Sequence, residues 1–239
     1  MAEQLYTIPV HDAFEADCEC PLCLMRRDLE KSAIEFTMGP SYMEDDNRAV
    51  TDKLGFCTEH LQKLYANKNR LGLALMLKTH TDKTIADMKQ LAEKDTGGKT
   101  SFLSRKSSGG SPMMDYIREL ESTCFVCQRI EKVFARYIDT IFHMWKKDPE
   151  FREQFAACKG FCTWHYGMLF EGSAKALGGK QQEFLDVLNR VYFAGMERVN
   201  EDVSWFIDKF DYRNQDAPWK NAKDALPRAI TKTGHTIVE

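Results

Sequence analysis

The chain has 239 residues, 43% of them hydrophobic and 29% charged, and a formal net charge of -3. These values fit a globular protein with a proper core, and the even mixing of acidic and basic residues excludes a domain-scale basic surface for nucleic acid or anionic lipid. No apolar run reaches the roughly 18 residues of a membrane helix, and MAEQLYTIPVHDAFEADCE lacks the basic-then-apolar pattern of a secretory signal.

The expectation is therefore a cytoplasmic chain with reduced thiols. Its eight cysteines then point to metal ligation or redox chemistry before disulfides.

At the N-terminus only YTIPV hints at an extended piece, with its Pro confining it to an edge or coil. Next comes CECPLC, three cysteines in the six residues from Cys18 to Cys23. From there helical periodicity dominates and predicts helices near 22–37, 42–53, 58–67 and 70–93. Glu44 to Asp46 read as a solvated helix face, with a hard-cation site as the alternative. From Glu93 to Ser111 the composition turns to Gly and Ser, as in a flexible linker.

Beyond it, helices are predicted at 113–122, 124–146, 149–157, 162–177 and 180–210. Ser111-Pro112 and Asp148-Pro149 supply an N-cap and a first-turn Pro, and Gly178-Gly179 supplies a stop before the last long helix. The remainder, 211–239, reads as a tail that packs back on the protein, because Trp219, Leu226 and Ile230 need burial. The fold class is all-α.

The two sides of the linker match. Cys20 and Cys23 align with Cys124 and Cys127 at an offset of 104, and Cys57, His60 and Leu64 align with Cys162, His165 and Leu169 at 105. GFCTEH at Gly55–His60 thus returns as GFCTWH at Gly160–His165. The organisation read from this is a first metal-binding module at 1–94, a linker at 95–111, a second module at 112–210 and the tail at 211–239.

Each module carries three thiols and one imidazole: Cys20, Cys23, Cys57 and His60, then Cys124, Cys127, Cys162 and His165. Cys3His is a standard structural set for zinc, and a spacing of three places two ligands on one helical face. The expectation is two zinc ions, each stapling its own module by joining the two ends of a helical hairpin. Iron–sulfur clusters are the alternative, and would make the protein a redox or metal-sensing one. The blander explanation, eight independently buried cysteines, does not account for the matched spacing.

Cys18 and Cys158 align with Ser122 and Lys53 and fall outside the repeat, while His11, His80, His143 and His235 have no matched partner. Haem attachment needs C-x-x-C-H, whereas Leu24 and Gln128 follow the pairs here. Zinc deaminases need H-x-E ahead of the cysteine pair, and Glu59 has Trp164 as its counterpart. No thioredoxin-like βαβ context and no phosphate-cradling glycine motif is present. No catalytic group is identified, so the reading leans to a non-enzymatic scaffold, adaptor or regulatory protein with another protein as partner.

The stretches YTIPVHDAFEADCECPLC, FTMGPSYMEDDNR, TDKLGFCTEHLQKLYANKNRLGLALMLKTH, FIDKFDYRN and PWKNAKDALPR resemble a family from clostridia-like bacteria that has no assigned function. Members often carry the label "ABC transporter substrate-binding protein", which fits neither the absent signal peptide nor the absent α/β pattern. The second half is also similar to bacterial proteins with CPxC…GFCxxH modules, with Phe125 and Val126 standing where those have Pro-x. The resemblance implies no activity.

Overall fold

A computed structural model describes residues 4–96 and 111–238. Among these residues there is no strand, and the chain is all-α. In order the helices are α1 (Gln4–Glu15), α2 (Pro21–Met38), α3 (Asp45–Leu54), α4 (Thr58–Ala66), α5 (Arg70–Thr96) and α6 (Pro112–Ser122). They continue with α7 (Phe125–Lys147), α8 (Pro149–Ala157), α9 (Thr163–Leu177), α10 (Gln181–Asp208) and α11 (Ala225–Gly234).

Several boundaries carry the chemistry expected of them. Ser111 accepts from the Met114 amide to cap α6, and Asp148 caps α8 by accepting from the amides of Glu150 and Phe151. Gly178 closes α9 at φ 53°, a conformation that favours glycine. Asp45 and Asp46 are exposed in the first turn of α3, where their charge complements the helix dipole.

Two expectations are corrected. Tyr6 to Val10 are helical, within α1, despite Pro9 inside the helix. Val10, Ala13 and Phe14 fall at helical spacing and are buried, and that burial outweighs the hydrogen bond Pro9 cannot donate. In the tail a helix, α11, forms, and the residues expected to be buried are not the ones that are. Leu226 and Ile230 are exposed, Trp219 is half-buried against Phe206, and the buried positions are Ala222, Ala225, Thr231 and Lys232.

Packing divides the chain into two compact units, residues 30–131 and residues 1–29 with 132–239. This differs from the repeat partition, because its boundaries fall inside α2 and α7 rather than in the segment 95–111. Most of that segment lies outside the described residues.

In the smaller unit α3 packs on α5, where the Arg48 guanidinium donates to the Leu75 carbonyl and to Thr79. Leu64, Leu73, Met76, Val126 and Ile130 are buried there. The larger unit is built around an aromatic core. Trp145 lies edge-on to Phe184 at 5.0 Å and to Phe155 at 5.1 Å, and Phe155 stacks on Phe14 at 5.5 Å.

Candidate metal centres

Every one of the eight repeated ligand residues sits at the start of a helix. Cys20, Cys57, Cys124 and Cys162 immediately precede α2, α4, α7 and α9, and their carbonyls accept the first helical amide hydrogen bonds. Three residues on, in the first turn, stand Cys23, His60, Cys127 and His165. Cys124 and Cys162 act as caps, their sulfurs accepting from the amides of Cys127 at 3.5 Å and His165 at 3.4 Å. Free N–H groups and the helix dipole at such ends favour thiolates.

The turn into each Cys-x-x-His helix uses the glycine of GFC in a left-handed conformation, Gly55 at φ 59° and Gly160 at φ 107°. A Cβ on Gly55 would lie 2.7 Å from the His80 ring, and one on Gly160 would lie 2.9 Å from Lys232 Nζ. Glycine is required at both.

The eight residues form two clusters of four, each within one compact unit. The first comprises Cys20, Cys23, Cys162 and His165, and the second Cys57, His60, Cys124 and Cys127; in each the ligand atoms lie within 4.8 Å of one another. The Cys-x-x-Cys pair of one repeat thus meets the Cys-x-x-His pair of the other, which corrects the expectation that each module closes its own set.

Both histidines point Nδ1 at the sulfurs. His165 Nδ1 is 3.4 Å from Cys20, 3.4 Å from Cys23 and 3.2 Å from Cys162. His60 Nδ1 is 3.2 Å from Cys57, 3.4 Å from Cys124 and 3.3 Å from Cys127. The sulfurs of Cys23 and Cys162 are 3.6 Å apart, and those of Cys57 and Cys127 3.9 Å. A tetrahedral ion with bonds of about 2.3 Å to sulfur and about 2.0 Å to nitrogen spaces its ligand atoms about 3.5–3.8 Å apart. The two sets therefore fit a single ion each.

The far sides of the two rings differ. His60 Nε2 lies 3.1 Å from Glu30 Oε1, an acceptor, so in the neutral ring Nδ1 carries the lone pair and faces the sulfurs. Lys63 in turn reaches both Glu30 oxygens at 2.7 Å. His165 Nε2 is buried without a hydrogen-bond partner, and its ring lies 5.4 Å from that of Phe134. All four members of the first cluster are buried, whereas Cys57 and Cys127 of the second are partly exposed.

Crowded this closely, the thiols oppose one another's ionisation. In the first cluster, hydrogen bonds from Cys20 and Cys23 push the Cys162 thiol down. Burial and Cys162 push Cys20 up, and hydrogen bonding with Cys162 and Cys20 raises Cys23. In the second, burial opposes ionisation of Cys124 but the His60 hydrogen bond prevails and brings it to about 6, while burial and the Cys124 charge raise Cys127. His60, despite burial, is raised to about 10 by Cys124 and Glu30, and Glu30 is lowered to about 2 by His60 and Lys63. A divalent cation relieves the repulsion among thiolates.

Cys18 and Cys158 stand outside both clusters and are partly buried free thiols, Cys18 directed at the Ala13 carbonyl. His11 bonds Gln154, His80 bonds the Asp52 carbonyl and His235 lies against Trp164, which gives each a structural contact. Glu59 is exposed and paired with Lys63.

Two residues serving the clusters escape a reading of the sequence alone. Glu30 carries one available signal, a charge where the other repeat has the buried Phe134. Lys232 carries none. It is 1% exposed, and its Nζ donates to the carbonyls of Glu19 at 2.8 Å and Lys159 at 2.9 Å, in the two loops that lead to Cys20 and Cys162.

The model of a family of unknown function, DUF6062, matches residues 1–239, and the chain belongs to that family. No curated protein and no solved structure matches it.

Proposed function

From a family without an assigned activity, we propose a function that starts from the clusters: the protein binds two zinc ions that hold its helices together, and acts as a non-enzymatic scaffold or adaptor for another protein. The observation that carries this is the spacing of the ligand atoms, 3.2–3.4 Å from histidine nitrogen to sulfur in both clusters. Three thiolates and an imidazole in that space suit zinc, which accepts sulfur and nitrogen in a tetrahedron without strain. An iron–sulfur cluster interposes several irons and sulfides between its ligands and needs them farther apart.

Four protein ligands leave no open position for substrate, which supports a structural role. Metal binding at such sites is coupled to folding. Support for a protein partner comes from large apolar side chains left in solvent near the end of α10, with Ile207 64% exposed, Phe210 73% and Tyr212 79%. A cytoplasmic location belongs to the same proposal, since reduced thiols keep both sets competent. No helix among the described residues is long and apolar enough to cross a membrane.

Elemental analysis of protein purified without oxygen tests the metal. A colourless preparation with two zinc per chain and no acid-labile sulfide is expected. A brown one with iron and sulfide would overturn zinc in favour of redox chemistry.

A further inference from the structure

Glu30 and Phe134 occupy the same place in the two repeats, ten residues beyond Cys20 and Cys124. Lys63 and Met168 are likewise equivalent, three beyond His60 and His165. Each pair flanks the histidine of its own repeat, but one pair is ionic and the other apolar. Around His60 the chain runs from imidazole Nε2 to Glu30 at 3.1 Å, and from Glu30 to Lys63 at 2.7 Å. Around His165 the corresponding space holds the Phe134 ring, and Nε2 has no hydrogen-bond partner.

We infer that Glu30 is a positioning residue of the second centre, acting through His60 to set how tightly that centre holds its metal; this rests on the proposal that the clusters bind metal. Accepting the Nε2 proton fixes the tautomer in which Nδ1 is the ligand. It also locks the ring's orientation and makes Nδ1 a stronger donor. Glu30 is itself held in place, since its side chain is only 24% exposed and both oxygens are engaged by Lys63. In the first centre the Nε2 side of the His165 ring is met by packing alone, so the two centres have the same ligand types and unequal support.

The test uses full-length protein loaded with zinc, as wild type, Glu30→Ala, Glu30→Gln and Lys63→Met. Each is titrated with a chelator, and each cysteine is scored by alkylation and mass spectrometry. Glu30→Ala should expose Cys57, Cys124 and Cys127 at about ten- to a hundredfold less chelator than wild type. Cys20, Cys23 and Cys162 should stay protected as in wild type. Glu30→Gln, which keeps an acceptor for Nε2, should shift less, and Lys63→Met, which leaves Glu30 on Nε2 without its brace, should also shift less than Glu30→Ala.

Unchanged protection in Glu30→Ala would overturn the inference, as would equal weakening of both centres or a Lys63→Met effect as large as that of Glu30→Ala. Wild-type protein that takes up no metal overturns the metal-binding proposal beneath it. Two metals with indifference to Glu30 overturns the role of Glu30 alone.

Discussion

The two clusters present the same set of three cysteines and one histidine, each at two helix starts, yet their loops are tied together differently. In the second cluster the loops bond directly: the Thr123 hydroxyl donates to the Leu54 carbonyl at 2.8 Å, and the Phe125 amide donates to the Gly55 carbonyl at 3.0 Å. In the first, the residue aligned with Phe125 is Pro21, which has no N–H, and the residue aligned with Thr123 is Glu19. The link there is supplied from far along the chain. Lys232 of α11 donates to both loop carbonyls, and Glu19 pairs with Lys232 at 3.3 Å and with Arg198 at 2.5 Å.

A proline that starts α2 well thus removes a local hydrogen bond, and a buried lysine more than 200 residues away takes its place. The tail beyond the repeat is part of the first centre's framework.

The largest effect on this contrast should come from Lys232→Met, which keeps the side chain's bulk and removes its charge. Two buried carbonyls lose their donor and the buried Glu19 loses a counterion, a loss of about 3 kcal/mol. Denaturant unfolding should show that loss, and alkylation should find Cys20, Cys23 and Cys162 exposed with Cys57, Cys124 and Cys127 still protected. Loss of protection at both centres would remove the distinction between them.

A smaller effect is expected from Thr123→Val. It deletes one direct hydrogen bond between the loops of the second cluster, worth about 1 kcal/mol, and leaves the Phe125 amide in place. The same unfolding measurement should show it, with protection of the first cluster unchanged.

Much of the molecule is legible in the sequence because local chemistry determines it. Apolar stripes, caps and the Gly178 stop mark the helices, and the double offset of Cys and His marks the repeat and all eight cluster residues. The illegible remainder depends on distance through space. Spacing along the chain makes a closure from Cys23 to Cys57 plausible. Which Cys-x-x-His pair a Cys-x-x-Cys pair meets is decided by tertiary packing, which spacing along the chain does not encode. A lysine in a short C-terminal helix looks like a solvated residue, and only the carbonyls of Glu19 and Lys159 make its burial at position 232 intelligible. Pro9 reads as a helix breaker because the burial of Val10, Ala13 and Phe14 is a tertiary fact.

The exchange of ligands between repeats is the central claim, and Cys162→Ser tests it most directly. Zinc-loaded variant and wild type are compared for zinc content and for alkylation of each cysteine. Exchanged pairing predicts a fall from two zinc to one, with Cys20 and Cys23 becoming reactive while Cys57, Cys124 and Cys127 stay protected. If Cys124 and Cys127 become reactive and Cys20 and Cys23 stay protected, each repeat closes its own site and the exchanged pairing is contradicted.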